Sequence, residues 1–416
     1  MKKTKRFKLR YLLLGLLGVL ALLALVFMHF GGFGTGESAD LQEFASHAQP
    51  VGEITIPADA AIIALGEATH GNVEFQQLKL TVFRRMVEQY GVRAFALEGD
   101  CGGCEQANRY IQGGAGTAQQ AAAAIGFAIY RTNEMAELLA YMRQYNDQAP
   151  AADKLRFYGF DMQRYLYSVQ FLAQSCADLG VDASALQALV ADGAWNSDYD
   201  LSARAAVITQ LKQELENRPD AAQAVHYAEM LLQYCALQTA AGEDATALRD
   251  KFMAQNAQWI LQQEQQRGFA RIFVSGHNGH VAKWGSMDSM GKLLATAQGG
   301  GYYAIGTDFY KTRCNLPTRT ASKRTEQVFY SHDPLAKAAK MAGFDLCWLN
   351  FAALEPESPL AQLAAGYTYM GNLGEGYSLL MRLLPPSYRI FQPPATLYDS
   401  MIFVAQAHPT KILEEK

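Results

Sequence analysis

The run Ala61-Ile-Ile-Ala-Leu65, closed by Gly66-Glu-Ala-Thr-His70-Gly71 and followed by a helical pattern from Val73, decides the fold. Five apolar residues that stop at a small-residue turn read as a parallel strand buried on both faces. The turn sets Glu67 and His70 at the C-terminal end of that strand. In open α/β sheets this is the edge where turns into the next helices converge and sites form. A carboxylate three residues from a histidine can orient the imidazole and raise its basicity toward water.

Working outward, Phe75, Leu78, Val82, Phe83, Met86 and Val87 recur at helical spacing and predict a helix over Val73–Tyr90, ended by Gly91. Arg93-Ala-Phe-Ala-Leu97 is the next strand, and Glu98 follows it, which completes a β-α-β unit with an acid at each strand end. Leu155–Phe160 reads as a third strand, capped by Asp161, Gln163 and Arg164. Arg271–Ser275 is a fourth, running into Gly276-His277-Asn278-Gly279-His280. Tyr302–Ile305, Phe344–Phe351, Tyr377–Leu384 and Met401–Gln406 complete the strand set. Residues 165–267 are almost wholly helical apart from a polar break at Asp192–Asp200, and predict a helical subdomain inserted in the sheet order. The expected fold class is α/β, with a mostly parallel central sheet flanked by helices.

Half of the 416 residues are apolar and 18% are charged, enough for a large core. The net charge is −4, yet Lys2, Lys3, Lys5, Arg6, Lys8 and Arg10 crowd the first ten residues with no acid among them. The remainder is therefore acidic, which argues against a nucleic-acid partner. Residues 1–10 read as a cytoplasmic basic segment. Tyr11–Phe30 has the length of about 20 apolar residues that a transmembrane helix needs. The basic cluster before it predicts a cytoplasmic N-terminus and an extracytoplasmic body. The apolar stretch exceeds the roughly 7–15 residues of a signal-peptide core and lacks an A-x-A site after it, which favours an uncleaved single-pass anchor. Residues 31–50 read as a linker with a short amphipathic piece around Leu41 and Phe44, and 51–416 as the main domain. Cys101 and Cys104 form a lone C-x-x-C without a second pair at zinc-site spacing, so a tight disulfide and two free thiols are both open.

Four strand ends now carry polar groups: Glu67 with His70, Glu98, Asp161, and His277 with His280. G-x-S-x-G is absent from the chain, which removes the serine nucleophile of an α/β hydrolase. H-E-x-x-H is absent as well, and no metal or other cofactor is expected. What remains is a histidine activating water, with other polar groups stabilising a tetrahedral intermediate. Each residue also has a plainer reading. Glu67 could be a helix-start carboxylate, Glu98 a buried acceptor, Lys79 and Arg131 exposed helix-flank charges, and Trp284, Met287 and Met290 core filling.

Gly66-Glu-Ala-Thr-His-Gly71 with Glu74-Phe75 resembles the signature of the erythromycin esterase family. So do Phe95-Ala-Leu-Glu98, Asn108-Arg-Tyr-Ile111, Tyr130-Arg131, Gly159-Phe-Asp-Met162, Arg249-Asp250, His277-Asn-Gly-His-Val-Ala-Lys283 and Tyr398-Asp399. The resemblance implies hydrolysis of a carboxylic ester, including a macrolide lactone, without a serine nucleophile. It implies His70 as general base, with Glu67, Glu98, His277 and His280 in the catalytic set. Lys79, Arg131 and Asp161 are the expected substrate-binding residues. The loop Gly99-Asp-Cys-Gly-Gly-Cys104 and the membrane anchor depart from the family pattern, so the small-molecule substrate stays open. The alternatives are a metal-dependent hydrolase or peptidase, and a surface module that binds a ligand without turning it over.

Overall fold

Buried apolar strands set the architecture. A computed structural model describes residues 2–29, 38–318, 321–331, 333–378, 381 and 384–414. The chain divides into two compact units, one built from residues 1–51, 68–75 and 307–410, the other from 52–67, 76–306 and 411–416.

The larger unit holds β1 (Ile62–Glu67), β2 (Ala94–Asp100), β3 (Arg156–Asp161), the short β4 (Val190–Ala191) and β5 (Ala194–Trp195), β6 (Ile272–His277) and the start of β7 (Tyr302–Thr318). β3, β2, β6, β1 and β7 lie side by side in that order, all parallel, with Phe157 beside Phe95, Phe95 beside Phe273, Ile62 beside Ile272 and Ile62 beside Tyr302. Every residue of β1 and β2 is buried, as continuous apolar strands covered on both faces must be. The helix Val73–Tyr90 sets Phe83 edge-on against Phe95 at 5.1 Å and near Phe273 at 5.7 Å. These rings are fully buried. Each contributes on the order of 1.5–3 kcal/mol by leaving water.

Between β3 and β6 the chain is helical over Leu166–Asp178, Ser184–Ala188, Leu201–Glu216, Ala222–Thr239 and Gly242–Gln266. The start of the polar break coincides with a feature the periodicity did not predict, the β4–β5 hairpin over residues 190–195. Its turn is Asp192-Gly193, with φ of 50° and 76°. A two-residue hairpin turn needs positive φ at both positions, and Asp-Gly supplies it.

The smaller unit contains the rest of β7, paired antiparallel with β8 (Ala321–Tyr330) from Lys311 opposite Tyr330 to Thr318 opposite Ala321. β9 (Leu346–Asn350), β10 (Thr368–Gly371), β11 (Arg389–Gln392) and β12 (Ser400–Ala407) complete it, β10 antiparallel to β11 and β12 antiparallel to β9. Phe44 of the helix Leu41–His47 packs edge-on against Phe403 of β12 at 5.8 Å. Half of the expected strand over Tyr377–Leu384 (residues 379, 380, 382 and 383) lies outside the described residues; among the described ones Tyr377 forms an isolated bridge to Thr318. β8, β10 and β11 were not anticipated. Residues 31–37 of the expected linker 31–50 also lie outside the described residues.

The fold class read from the sequence holds: a mostly parallel central sheet with flanking helices. Lys2–His29 is one continuous helix, and its residues 10–27 have a mean hydropathy of 2.4 with none buried. It is long and apolar enough to cross a membrane. Cys101 and Cys104 are free thiols buried within the helix Cys101–Ile111, and burial first, then Asp100, pushes both well above the usual thiol range.

Candidate active site

Parallel pairing of β1 with β6 puts Glu67 beside His277, and the turn that follows β6 comes close to β1. Gly66 makes this possible, because a Cβ there would sit 2.2 Å from Asn278 Oδ1. Gly276 has the same role toward β2, since a Cβ on it would reach 3.0 Å from Glu98 Oε2.

Glu98, 6% exposed, accepts from the backbone N–H of His277 at 2.6 Å and from Arg249 Nη2 at 2.8 Å. Asp161, fully buried at the end of β3, accepts from Arg249 twice, Nε at 3.2 Å and Nη2 at 2.6 Å. It also accepts from the Met162 N–H at 2.8 Å and Gln163 Nε2 at 2.6 Å. Burial opposes the Arg249 charge, but Asp161 and Glu98 outweigh it and raise its pKa above the ordinary value. Arg249 is thus a fixed cation at the ends of two parallel strands.

His280 is the second basic group. Its Nδ1 lies 2.8 Å from Asp250 Oδ1, and its Nε2 lies 3.1 Å from Arg249 Nη1 and 3.4 Å from Glu98 Oε1. Asp250 is itself held by the Met290 N–H at 2.8 Å. Burial depresses the imidazole pKa and Arg249 opposes protonation, yet Glu98 and the bonded, charged Asp250 raise it overall. In the neutral ring the Nδ1 proton goes to Asp250 and Nε2 accepts from Arg249. In the charged ring Nε2–H faces Glu98. His277 caps the turn that carries His280, its Nδ1 accepting from the Gly279 N–H at 3.2 Å, which leaves the proton of the neutral ring on Nε2.

Glu67, 1% exposed, accepts from Lys79 Nζ at 2.6 Å and Gln76 Nε2 at 3.3 Å. Lys79 is also 1% exposed, and its Nζ stands 5.8 Å from the centre of the Tyr130 ring. It is a buried ion-pair partner and not a helix-flank charge. Arg131 follows a short turn of helix, and its carbonyl accepts from the Leu413 N–H at 2.8 Å.

The structure therefore brings together Glu98, Asp161, His277 and His280, and joins Glu67 to Lys79. His70 belongs to the other unit, the chain passing from one to the other between Glu67 and Ala68. There the turn is pinned by Ala68 N–H to Thr307 Oγ1 at 2.8 Å, Leu373 N–H to the Ala68 carbonyl at 2.8 Å, and Asn315 N–H to the Gly71 carbonyl at 3.0 Å. His70 is 7% exposed. Arg249 and Asp250 were quoted for their resemblance but not chosen as site residues. Their signal was present: Asp250, one turn before Met253 and Ala254, falls on the buried stripe of the helix Gly242–Gln266, with Arg249 next to it. Among the described residues no group of three or more His, Cys, Asp and Glu is arranged to hold a metal ion.

The erythromycin esterase family profile matches residues 87–407, which take in Glu98, Arg131, Asp161, Arg249, Asp250, His277 and His280 and begin after Glu67, His70 and Lys79. Erythromycin esterase type II of Escherichia coli is 25% identical over 304 residues, covering 61% of this chain and 70% of its own length. A Bacillus cereus protein of solved structure superposes with a TM-score of 0.74 at 18% identity, over 90% of this chain and 100% of that one. A succinoglycan biosynthesis protein gives 0.70 at 17% identity, over 90% and 98%. A mutant of erythromycin esterase EreC in its open conformation gives 0.59 at 16% identity, over 90% and 96%. The chain belongs to the erythromycin esterase family.

Proposed function

We propose that this member of the erythromycin esterase family is a membrane-anchored hydrolase that opens a carboxylic ester by attack of water, with His70 as general base. The observation that carries the reading is the buried network Asp161–Arg249–Glu98–His280–Asp250 at the ends of β2, β3 and β6. Ester hydrolysis needs a base for water, positive charge for the developing oxyanion and a proton for the leaving alkoxide. Arg249 supplies a charge that cannot deprotonate, already fixed before substrate arrives. Glu98 and Asp250 flank the imidazole, so the proton on His280 is held to higher pH than usual. That suits His280 as the donor to the alkoxide, and the base role falls to His70.

The same reading makes Lys2–His29 an anchor with its basic end in the cytoplasm and the catalytic body outside. Protease protection of the N-terminal segment in sealed membranes, with the body digested from the outer side, supports this orientation, and the reverse pattern overturns it.

An ester and lactone panel on the purified protein tests the activity. Hydrolysis that His70→Ala lowers by about 10²-fold or more supports the reading. A panel with no turnover above that variant overturns it, and unchanged ligand binding in both proteins then favours a non-catalytic module. Activity lost on chelation and restored by a divalent ion favours the metal-dependent alternative.

A further inference from the structure

His70 sits on a turn bounded by Gly66 and Gly71, and hydrogen bonds fix the chain on both sides of the imidazole. Two residues before it, the Ala68 N–H donates to Thr307 Oγ1 at 2.8 Å and the Ala68 carbonyl accepts from the Leu373 N–H at 2.8 Å. One residue after it, the Gly71 carbonyl accepts from the N–H groups of Asn315 and Thr410, each at 3.0 Å. Gly71 allows this approach to β7, because a Cβ there would stand 2.5 Å from the Asn315 carbonyl oxygen.

Two residues after His70 the anchor is a side chain. Asn72 is fully buried. Its Nδ2 donates to the Arg313 carbonyl on β7 and to the His408 carbonyl, each at 2.9 Å, and its Oδ1 accepts from Thr312 Oγ1 at 2.8 Å. Both donors and the acceptor oxygen of the amide are thereby engaged. The Val73 N–H donates to the same His408 carbonyl at 2.9 Å, and Asn72 bridges Pro409, which ties the C-terminal segment to the same point. An Asn just before a helix ordinarily turns its side chain back to cap it. Here its partners lie 240, 241 and 336 residues away, so one amide joins the His70 turn to β7 and to the C-terminal segment.

We propose that Asn72 is a positioning residue for the reaction, holding the His70 imidazole where it can take a proton from water. The assignment rests on the reading of His70 as general base and says what keeps that base in place. A base acts over hydrogen-bond distance, and a displacement of about 1 Å costs up to about 10²-fold in rate. The buried amide resists such a shift, because moving the turn would leave two carbonyls and a hydroxyl without partners in the interior. Asn72 acts through His70, so its effect falls on kcat and not on the binding of substrate.

Steady-state kinetics of the full-length protein in detergent, on an ester that the panel shows it to hydrolyse, test this together with NMR of isotope-labelled histidine. His70→Ala assigns the His70 signal. Asn72→Asp keeps the shape and the Thr312 bond but removes both donors. It should lower kcat by about tenfold to 10²-fold with KM within about twofold, and displace the His70 signal while that of His280 stays. Thr312→Val removes one bond at nearly constant size and should lower kcat by about fivefold, and Thr312→Ser, which keeps the hydroxyl, should restore most of it. Where Asn72→Asp does not fold, the Val and Ser variants decide alone. A folded variant lacking these bonds whose kcat does not fall, or whose His70 signal stays put, overturns the proposal even if its Tm drops. Thr312→Ser as damaging as Thr312→Val overturns it too. A wild-type protein that hydrolyses no ester overturns the esterase reading instead, and the His70 signal still decides whether Asn72 sets the ring.

Discussion

Arg249 grips both carboxylate oxygens of Asp161, Nε to Oδ1 at 3.2 Å and Nη2 to Oδ2 at 2.6 Å, across 88 residues of chain. The same Nη2 reaches Glu98 at 2.8 Å, so one guanidinium neutralises charge at the ends of β2 and β3. Such a group serves stability and chemistry at once, and substitution separates the two.

Arg249→Met leaves Asp161 and Glu98 buried without their cation, and removing one partner of a buried pair costs about 3–5 kcal/mol. Denaturant unfolding should show that loss. Arg249→Lys keeps a charge but not the two-pronged geometry. It should unfold nearer to wild type, yet lose about 10²-fold in kcat/KM for the ester substrate. Equal effects of Lys and Met on turnover would remove the argument from geometry.

Asp250 and Glu98 raise the His280 pKa, so stability from the charged ring is complete below the unfolded imidazole value of 6.5 and is lost as pH rises through the higher folded value. Asp250→Asn removes one source of the rise. The His280 titration followed by NMR should move to lower pH, and the alkaline limb of kcat/KM should move with it. A limb that stays put would detach His280 from proton donation.

Lys79 and Glu67 are a fully buried pair at 2.6 Å. Lys79→Met strands a carboxylate at the end of β1 and should cost about 3–5 kcal/mol. Adding Glu67→Gln should return much of that loss, because no buried charge then remains. Thermal unfolding of the two single variants and the double variant decides it.

Asp308 and Asp333 are fully buried in the smaller unit, Arg389 Nε donating to Asp333 Oδ1 at 2.9 Å. Asp308 Oδ1 accepts from the Phe309 and Gly371 N–H groups at 2.7 and 3.0 Å, while its Oδ2 and that of Asp333 have no partner among the described residues. Burial raises both pKa values, and the charge of Asp333 raises Asp308 further. The folded state then binds more protons than the unfolded one above the ordinary value of 3.8, so this pair makes stability fall as pH rises. Asp308→Asn keeps the Oδ1 acceptor and removes one charge. It should raise stability at pH 8 by about 1–3 kcal/mol and flatten the pH dependence of Tm.

Much of this was legible in the chain. The helix Val73–Tyr90 was readable at both ends, because Gly91, at φ 68°, stops a strongly periodic run. Glu98, Asp161 and His277 were recognisable at strand ends because buried parallel strands are continuous apolar runs and the first polar residue marks their tip. β8 was missed because Ala321-Ser-Lys-Arg-Thr-Glu-Gln-Val-Phe-Tyr330 has no apolar face until its last three residues. The β4–β5 hairpin was missed because two-residue strands carry no period, although Asp192-Gly193 was a turn signal.

Gly66-Glu-Ala-Thr-His70-Gly71 shows where the sequence stops. By itself it determined a buried strand, its end, and the presence of an acid and an imidazole there, because these follow from composition and spacing over a few residues. Only the tertiary structure decided that Glu67 takes Lys79 as a partner, that Arg249 binds Glu98 and Asp161, and that Asp250 binds His280. Hydrogen bonds and ion pairs select partners by distances of 3 Å between groups tens to hundreds of residues apart, and no local pattern encodes those distances.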